Sequence, residues 1–404
     1  MGTIGDGFIV GSRPHHQQHS AAAARRCTAR CAAHSQRRPP LSATALLRPH
    51  PRSRLGRRLR QLRRAAQRQR LGHAPVDRTV HPDHRRYRHL HRSTLVGRRI
   101  MEQITNKRVL VTGVTGWVAG PVATALAANG NTVFGAARFR DATQREPLEA
   151  QGVNTISIDL QKARFDEVPN DIDVILNFAV AKVNDFEVAF AANAEGPAAL
   201  MELCRPEMFL HCSSTAVYAP DDHNPRLETD ALGDSHRPMP GMPTYSISKI
   251  AAEVLVKYTA KRLGIPAVIA RLNVPYGDAY GWMTFHLMMM ERGIPVPVHV
   301  NQPTSYTPIH SDDIVRSIPY LLSLASVPTT IVNWGGEEVA GIEDWCNELG
   351  RLTGITPQFA PTESTIAAII PDLTKLHSTG FRSQVGWREG MLRQLTVSRP
   401  DLLK

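Results

Sequence analysis

Between residues 107 and 272, short apolar runs alternate with longer segments whose apolar positions recur at helical spacing. The runs 109–111 (VLV), 131–137 (NTVFGAA), 153–160 (VNTISIDL), 172–179 (IDVILNFA), 208–214 (MFLHCSS) and 265–272 read as six buried strands. The segments 190–203 and 244–263 read as helices, as does the Ala-rich stretch that ends at Asn129-Gly130, and Gly264 stops the second of them. Such alternation predicts an α/β fold with a doubly wound parallel sheet, whose ligands sit at the carboxyl ends of the strands. Beyond Asn273 the pattern is irregular and richer in Pro, Gly, Met and Trp. We therefore expect a sheet domain over 101–273 and a smaller substrate-binding region over 274–404.

The chain is organised around 107–130, KRVLVTGVTGWVAGPVATALAANG. A strand, a glycine turn at Gly113 and Gly116, and a helix bring backbone N–H groups and a helix N-terminus together, as a pyrophosphate requires. Gly113 lets the backbone turn, and Gly116 removes a side chain where phosphates approach. Folds that bind NAD usually place an acid about 20 residues on, against the ribose hydroxyls. Here that position offers Ala136, Ala137 and Arg138, with Arg140 just beyond. Arginine suits a 2′-phosphate and favours NADP over NAD; the plain alternative is a solvated basic turn.

Composition changes the picture only at the front of the chain. Residues 1–100 hold 23 Arg, no Lys and three acids, for a charge of about +20, whereas the other 304 residues sum to −8. A stretch such as RSRLGRRLRQLRRAAQRQR has too few large apolar residues to offset chain entropy and reads as a disordered tail. It fits an arm for nucleic acid or another anionic surface, an organelle transit peptide, or translated sequence upstream of a true start at Met101. Five cysteines, Cys27, Cys31, Cys204, Cys212 and Cys346, give no CxxC pair and no disulfide framework. The last three read as small buried apolar residues in a reducing cytoplasm. No run approaches the length of a membrane span, and no metal site is expected.

The candidate chemistry lies at Tyr245 and Lys249, four apart on one helix face. A cation beside a phenol favours the phenolate, so the tyrosine can exchange a proton with a substrate oxygen while hydride moves at the carbon. Ser214, at the close of MFLHCSS, is the natural group to hold that oxygen. His299 and His310 read as substrate contacts or structural histidines. The run 282–290 (WMTFHLMMM) reads as pocket lining or core.

In these residues the chain resembles the extended short-chain dehydrogenase/reductases, also called the NAD-dependent epimerase/dehydratase family. The resemblance runs from about Lys107 to Trp387. It is carried by TGVTGWVAG at 112–120, Asp159-Leu160, NFAVA at 177–181, Asn193 in NAEGP, SSTAVY at 213–218, YSISK at 245–249, RLNVPYG at 271–277 and HSDDI at 310–314. It implies a Rossmann-type sheet with a smaller C-terminal substrate-binding domain, commonly in a homodimer. By resemblance Ser214, Tyr245 and Lys249 are the catalytic trio, and Lys249 also meets the cofactor ribose. The dinucleotide would lie against Gly113, Thr115, Gly116, Trp117, Val118, Arg138, Asp159, Leu160, Phe178 and Ala179, and Asn193 would help position the active-site helix. Ser214, Thr215, Tyr306 and His310 would face a small-molecule substrate.

Three departures bear on the substrate. The family's third glycine falls on Ala119, with Gly120 one later. Thr215 and Ala216 stand where sugar dehydratases carry an acidic pair, which argues against water elimination. Tyr306 stands where nucleotide-sugar members place an arginine for the diphosphate. The expected function is an NAD(P)-dependent oxidoreductase acting on a carbonyl or secondary alcohol. The alternatives are a nucleotide-sugar 4-epimerase using the same trio and a non-catalytic NADP-sensing protein. Nucleic acid is a partner only if the basic tail is real, and no membrane partner is expected.

Overall fold

The computed structural model describes residues 104–404 except Asp221. The readings placed on the basic tail, Met101, Cys27 and Cys31 lie outside the described residues. Among these residues seven strands form one parallel sheet: β1 (Arg108–Thr112), β2 (Thr132–Ala137), β3 (Val153–Ser157), β4 (Val174–Asn177), β5 (Met208–Ser214), β6 (Ala267–Leu272) and β7 (Thr330–Trp334). Their order is β7-β6-β5-β4-β1-β2-β3. The sheet reverses direction of growth between β1 and β4, the crevice where such folds take ligands. Helices α1 (Ala119–Ala128), α2 (Gly196–Cys204), α3 (Tyr245–Leu263), α4 (Trp282–Glu291), α5 (Ser311–Leu322), α6 (Ile342–Thr353) and α7 (Trp387–Ser398) complete the frame.

The strands form where near-continuous apolar runs are covered on both faces. Val109, Val111, Val174 and Leu210 pack to one side with α1 and α5, while Leu110, Ile175, Phe209 and Ile269 pack to the other with α2 and α3. Two expected elements come out differently. The third strand ends at Ser157, because the Asp159 carboxylate accepts from Gln161 N at 3.1 Å and caps a short 3-10 turn over Leu160–Lys162. The helix expected over 190–203 is a helix over Phe186–Phe190, a π-turn over Ala191–Glu195, then α2.

The larger difference lies beyond Asn273. β7 pairs in parallel with β6, from Thr330 beside Val268 to Trp334 beside Leu272, and α5 packs its Ile314, Ile318 and Leu321 into the sheet core. Part of 274–404 therefore belongs to the sheet. The rest forms a second cluster over the strand ends, in which Met283, Leu287, Met290, Trp345, Cys346 and Trp387 are buried together. The run 282–290 is thus divided: Met283 and Met290 are core, while Trp282 borders the cavity described next. Cys204, Cys212 and Cys346 are buried free thiols, pushed up to about 11, 11 and 12 by burial. No helix among the described residues is long and apolar enough to cross a membrane.

Candidate active site

Helix α3 carries an unusual buried face. Ser246, Ser248, Lys249, Glu253 and Thr259 all lie inside with Ala252 and Val256. Buried polar groups persist only when paired, and the pairings show what this helix is anchored to. Ser246 Oγ donates to Ala216 O at 2.7 Å, and Asn193 Nδ2 donates to Ser248 Oγ at 3.0 Å. The same Asn193 amide joins both backbone groups of Ala181, at 2.6 and 3.0 Å, so one side chain ties the loop after β4 to α3. Its place in a π-turn is typical of a functional position. Deeper in, Glu253 takes Arg271 through both oxygens, at 2.9 and 2.8 Å, and accepts from Ser213 Oγ at 2.6 Å.

These anchors set Tyr245, the first residue of α3, at the rim of a cavity of about 250 Å³ at the strand ends. Its wall is built from the β1–α1 turn (Gly113, Gly116, Trp117, Val118), the loop after β4 (Phe178, Val180, Lys182), the end of β5 (Ser214, Thr215), Tyr245 and Lys249, and Trp282 and Tyr306 from beyond the sheet. Gly113 adopts φ +77°, and a Cβ there would stand 2.9 Å from the Ala179 backbone. Gly120 does the close-packing expected of a third glycine, since a Cβ on it would lie 3.0 Å from Val114 O.

Of the expected site residues, Gly113, Gly116, Trp117, Val118, Phe178, Ser214, Thr215, Tyr245, Lys249 and Tyr306 border this one cavity. Thr115, Arg138, Asp159, Leu160, Ala179 and Asn193 lie outside its wall. Arg138 is exposed, with no hydrogen bond or ion pair among the described residues. His310 is fully buried elsewhere: its ring reaches Asp278 at 3.1 Å and accepts from Asp312 N at 3.2 Å. His299 accepts from Asn301 N at 3.1 Å and is also outside the wall. Among the wall residues that sequence reading missed, two carry ionisable side chains, Lys182 and His236. Lys182 Nζ stands 5.9 Å from the Tyr245 ring centre, and the His236 ring lies 4.7 Å from it.

The electrostatics differ from expectation in direction. A depressed phenol was expected beside Lys249; instead burial pushes Tyr245 up to about 12, against a hydrogen bond with Ser214 that pulls it down. Lys249 does not offset this: its ammonium donates to Cys212 O at 2.8 Å, and burial lowers its own proton affinity. Lys182 is exposed by area, yet desolvation of its ammonium by the surrounding wall lowers its proton affinity too. His236, donating to or accepting from Ser246 Oγ at 2.8 Å, falls to about 4 through burial and then the Lys182 charge. The imidazole is therefore neutral at pH 7.

The family model for the NAD dependent epimerase/dehydratase family matches residues 109–335. The chain belongs to that family. Among curated members it is 25% identical over 252 residues to a trifunctional UDP-glucose 4,6-dehydratase/UDP-4-keto-6-deoxy-D-glucose 3,5-epimerase/UDP-4-keto-L-rhamnose-reductase of Arabidopsis thaliana, covering 56% of this chain and 36% of that protein. It thus spans about a third of the length of that relative. It is also 27% identical over 186 residues to a hybrid PKS-NRPS synthetase of Penicillium citrinum, covering 43% of this chain and 5% of that one. Among solved structures it resembles UDP-glucuronic acid 4-epimerase from Bacillus cereus in complex with UDP-glucuronic acid and NAD, with a TM-score of 0.62, 21% identity, and 72% and 98% of the two chains covered. MoeE5 in complex with UDP-glucuronic acid and NAD gives 0.62, 23%, 73% and 100%. At these identities the likeness is one of fold.

Proposed function

We propose that this family member is an NAD(P)-dependent oxidoreductase that moves a hydride to or from a carbonyl or secondary-alcohol carbon of a small molecule. The observation that carries the reading is the meeting of Ser214, Tyr245 and Lys249 on one cavity that also opens onto the Gly113–Gly116 turn. That turn fits a dinucleotide, because Gly113 and Gly116 leave its backbone bare at two points between the strand end and the first turn of α1. Gly113, Gly116, Trp117 and Val118 would hold the pyrophosphate, Asp159 and Leu160 the adenine end, and Lys249 the ribose. Arg138 is free to take a 2′-phosphate, which favours NADP. When bound, the dinucleotide supplies or accepts the hydride.

The chain's own residues handle the oxygen and the proton. Ser214 Oγ holds the substrate oxygen by a hydrogen bond. Tyr245 Oη gives that oxygen its proton on reduction and takes one back on oxidation. The phenol is protonated at neutral pH, so in the reductive direction it has the proton that the substrate oxygen takes up. Thr215 and Ala216 bring no carboxylate to the wall, so water elimination has no base there.

The test is Tyr245→Phe. Turnover is expected to fall by roughly 10²–10⁴, the usual range for a proton-transfer group, while the dinucleotide Kd stays within a small factor. Turnover that survives the substitution refutes the assignment. The second reading, a nucleotide-sugar 4-epimerase, is favoured by the ligands of the structural neighbours. It requires UDP-sugar binding and no net change in NAD(P)H.

A further inference from the structure

We infer that the substrate end of this cavity takes an uncharged, apolar carbonyl compound, an aryl or branched alkyl ketone or aldehyde or the matching alcohol, rather than a sugar carried on a nucleoside diphosphate. The inference rests on the hydride-transfer reading above and adds to it the class of substrate.

The wall facing Ser214 is apolar and continuous. Trp282 meets Tyr306 edge to face at 5.4 Å, and Ile366 and Ile369 pack beside Trp282. This wall is fastened to the strand end that bears Ser214. Asn273 Nδ2 donates both to Thr215 Oγ1 at 2.8 Å and to Ile369 O at 3.0 Å, while Ile369 N donates to Ser305 O at 3.0 Å. The polar atoms that Tyr306 and Asn273 bring to this wall are already engaged. The Tyr306 hydroxyl donates to Ile366 O at 3.0 Å, and Asn273 Oδ1 accepts from Thr307 N at 2.9 Å. A ligand at this wall meets rings and methyl groups.

Nothing in the wall answers a diphosphate. Bidentate arginine is the usual partner for such a group, and among the described residues no arginine borders the cavity. Tyr306 occupies the position where sequence comparison expected one, and its buried ring is held by carbonyls. Three arginines outside the wall are held in ion pairs: Arg271 with Glu253, Arg393 with Asp278 and Asp312, and Arg237 with Asp234. Of the two lysines on the wall, Lys249 is held by Cys212 O and Lys182 stands over Tyr245, at the reacting end. The approach is apolar as well. Trp117, itself on the wall, contacts Tyr280 and Phe285 at 5.8 and 5.9 Å, and all three rings are exposed. Clustered exposed aromatics mark binding surfaces.

The experiment begins with NADPH and NADH binding by calorimetry on the full chain, which tests the hydride-transfer reading by itself. The dinucleotide-loaded protein is then titrated with acetophenone, 1-phenylethanol, UDP, UDP-glucose and UDP-glucuronic acid. Saturable binding of acetophenone or 1-phenylethanol, with none by UDP or either UDP-sugar, is the expected result. Turnover converts acetophenone to 1-phenylethanol as its carbonyl carbon gains the hydride, its oxygen gains a proton from Tyr245, and the reduced dinucleotide is oxidised. Trp282→Ala should raise KM for acetophenone about tenfold, the scale of a lost apolar contact. It should leave kcat and the dinucleotide Kd near their original values, and Trp282→Phe should restore most of the loss. Saturable binding of UDP or a UDP-sugar overturns the inference while leaving hydride transfer intact. So does a loaded protein that binds neither class.

Discussion

Inside the sheet, Arg271 and Glu253 form a two-pronged ion pair that is almost wholly removed from water. Over the strand ends, Arg393 bridges Asp278 and Asp312 with every partner at least a third exposed. The same contrast runs through the two regions. The sheet side holds its strands by backbone ladders and encloses its charged Arg271 and Glu253 as a pair. The strand-end side has two-residue strands, such as Pro275–Tyr276 beside Ile309–His310, and is positioned through single amides: Asn273, and Asn333 reaching Arg226 O and Asp372 O. The sheet frame thus carries the groups that move protons, and a wall assembled from separate loop segments meets the substrate.

If that division is real, the largest effect should follow from breaking the enclosed pair. Glu253→Gln strands the Arg271 charge indoors and is expected to cost about 3–5 kcal/mol, read as a fall in denaturant midpoint. A loss no bigger than that of a surface pair would abolish the contrast. Acid should come next. His236 beside Tyr245 and His286 in the strand-end cluster are both pushed down to about 4 by burial. Between pH 6.5 and 4 the unfolded chain binds protons that the folded chain refuses, so stability drops as pH falls through that window. Each histidine accounts for roughly 3 kcal/mol, and His236→Gln should flatten the acid slope of the unfolding free energy. Tyr245 acts at the other end, stability declining as pH climbs from 10 towards 12.

Gly113→Ala sharpens the picture of the frame: a side chain at φ +77° against the Ala179 backbone should cost roughly 1–3 kcal/mol, with dinucleotide binding weakened more than stability. Smallest should be Arg393→Ala, at about 1 kcal/mol or less, and raised salt should erase it.

Legibility in the sequence follows the same division. Buried parallel strands announce themselves as apolar runs, so β1 to β6 were readable, and β5 was readable to its ends. The glycine turn and the Tyr245–Lys249 spacing were readable because local geometry alone links those residues. β7 was not, since Thr330–Trp334 (TIVNW) is five residues among prolines and glycines and its partner strand lies some 60 residues earlier. Lys182 could have been suspected as a lone cation straight after the apolar run NFAVA. His236 sits in an aperiodic stretch and gave no signal. The direction of the Tyr245 shift depends on how far the fold buries the phenol, and spacing does not record that.

The placement of β7 outside β6 has a practical corollary for anyone re-engineering this chain. Severing it at residue 273 would strip the sheet of its border strand and of α5, leaving β6 as a bare, adhesive margin. A graft of foreign ligand specificity must therefore replace several separate inserts, such as 278–306 and 363–370, while the thread between them is kept. New substrates are to be sought by exchanging loops, not by swapping a module.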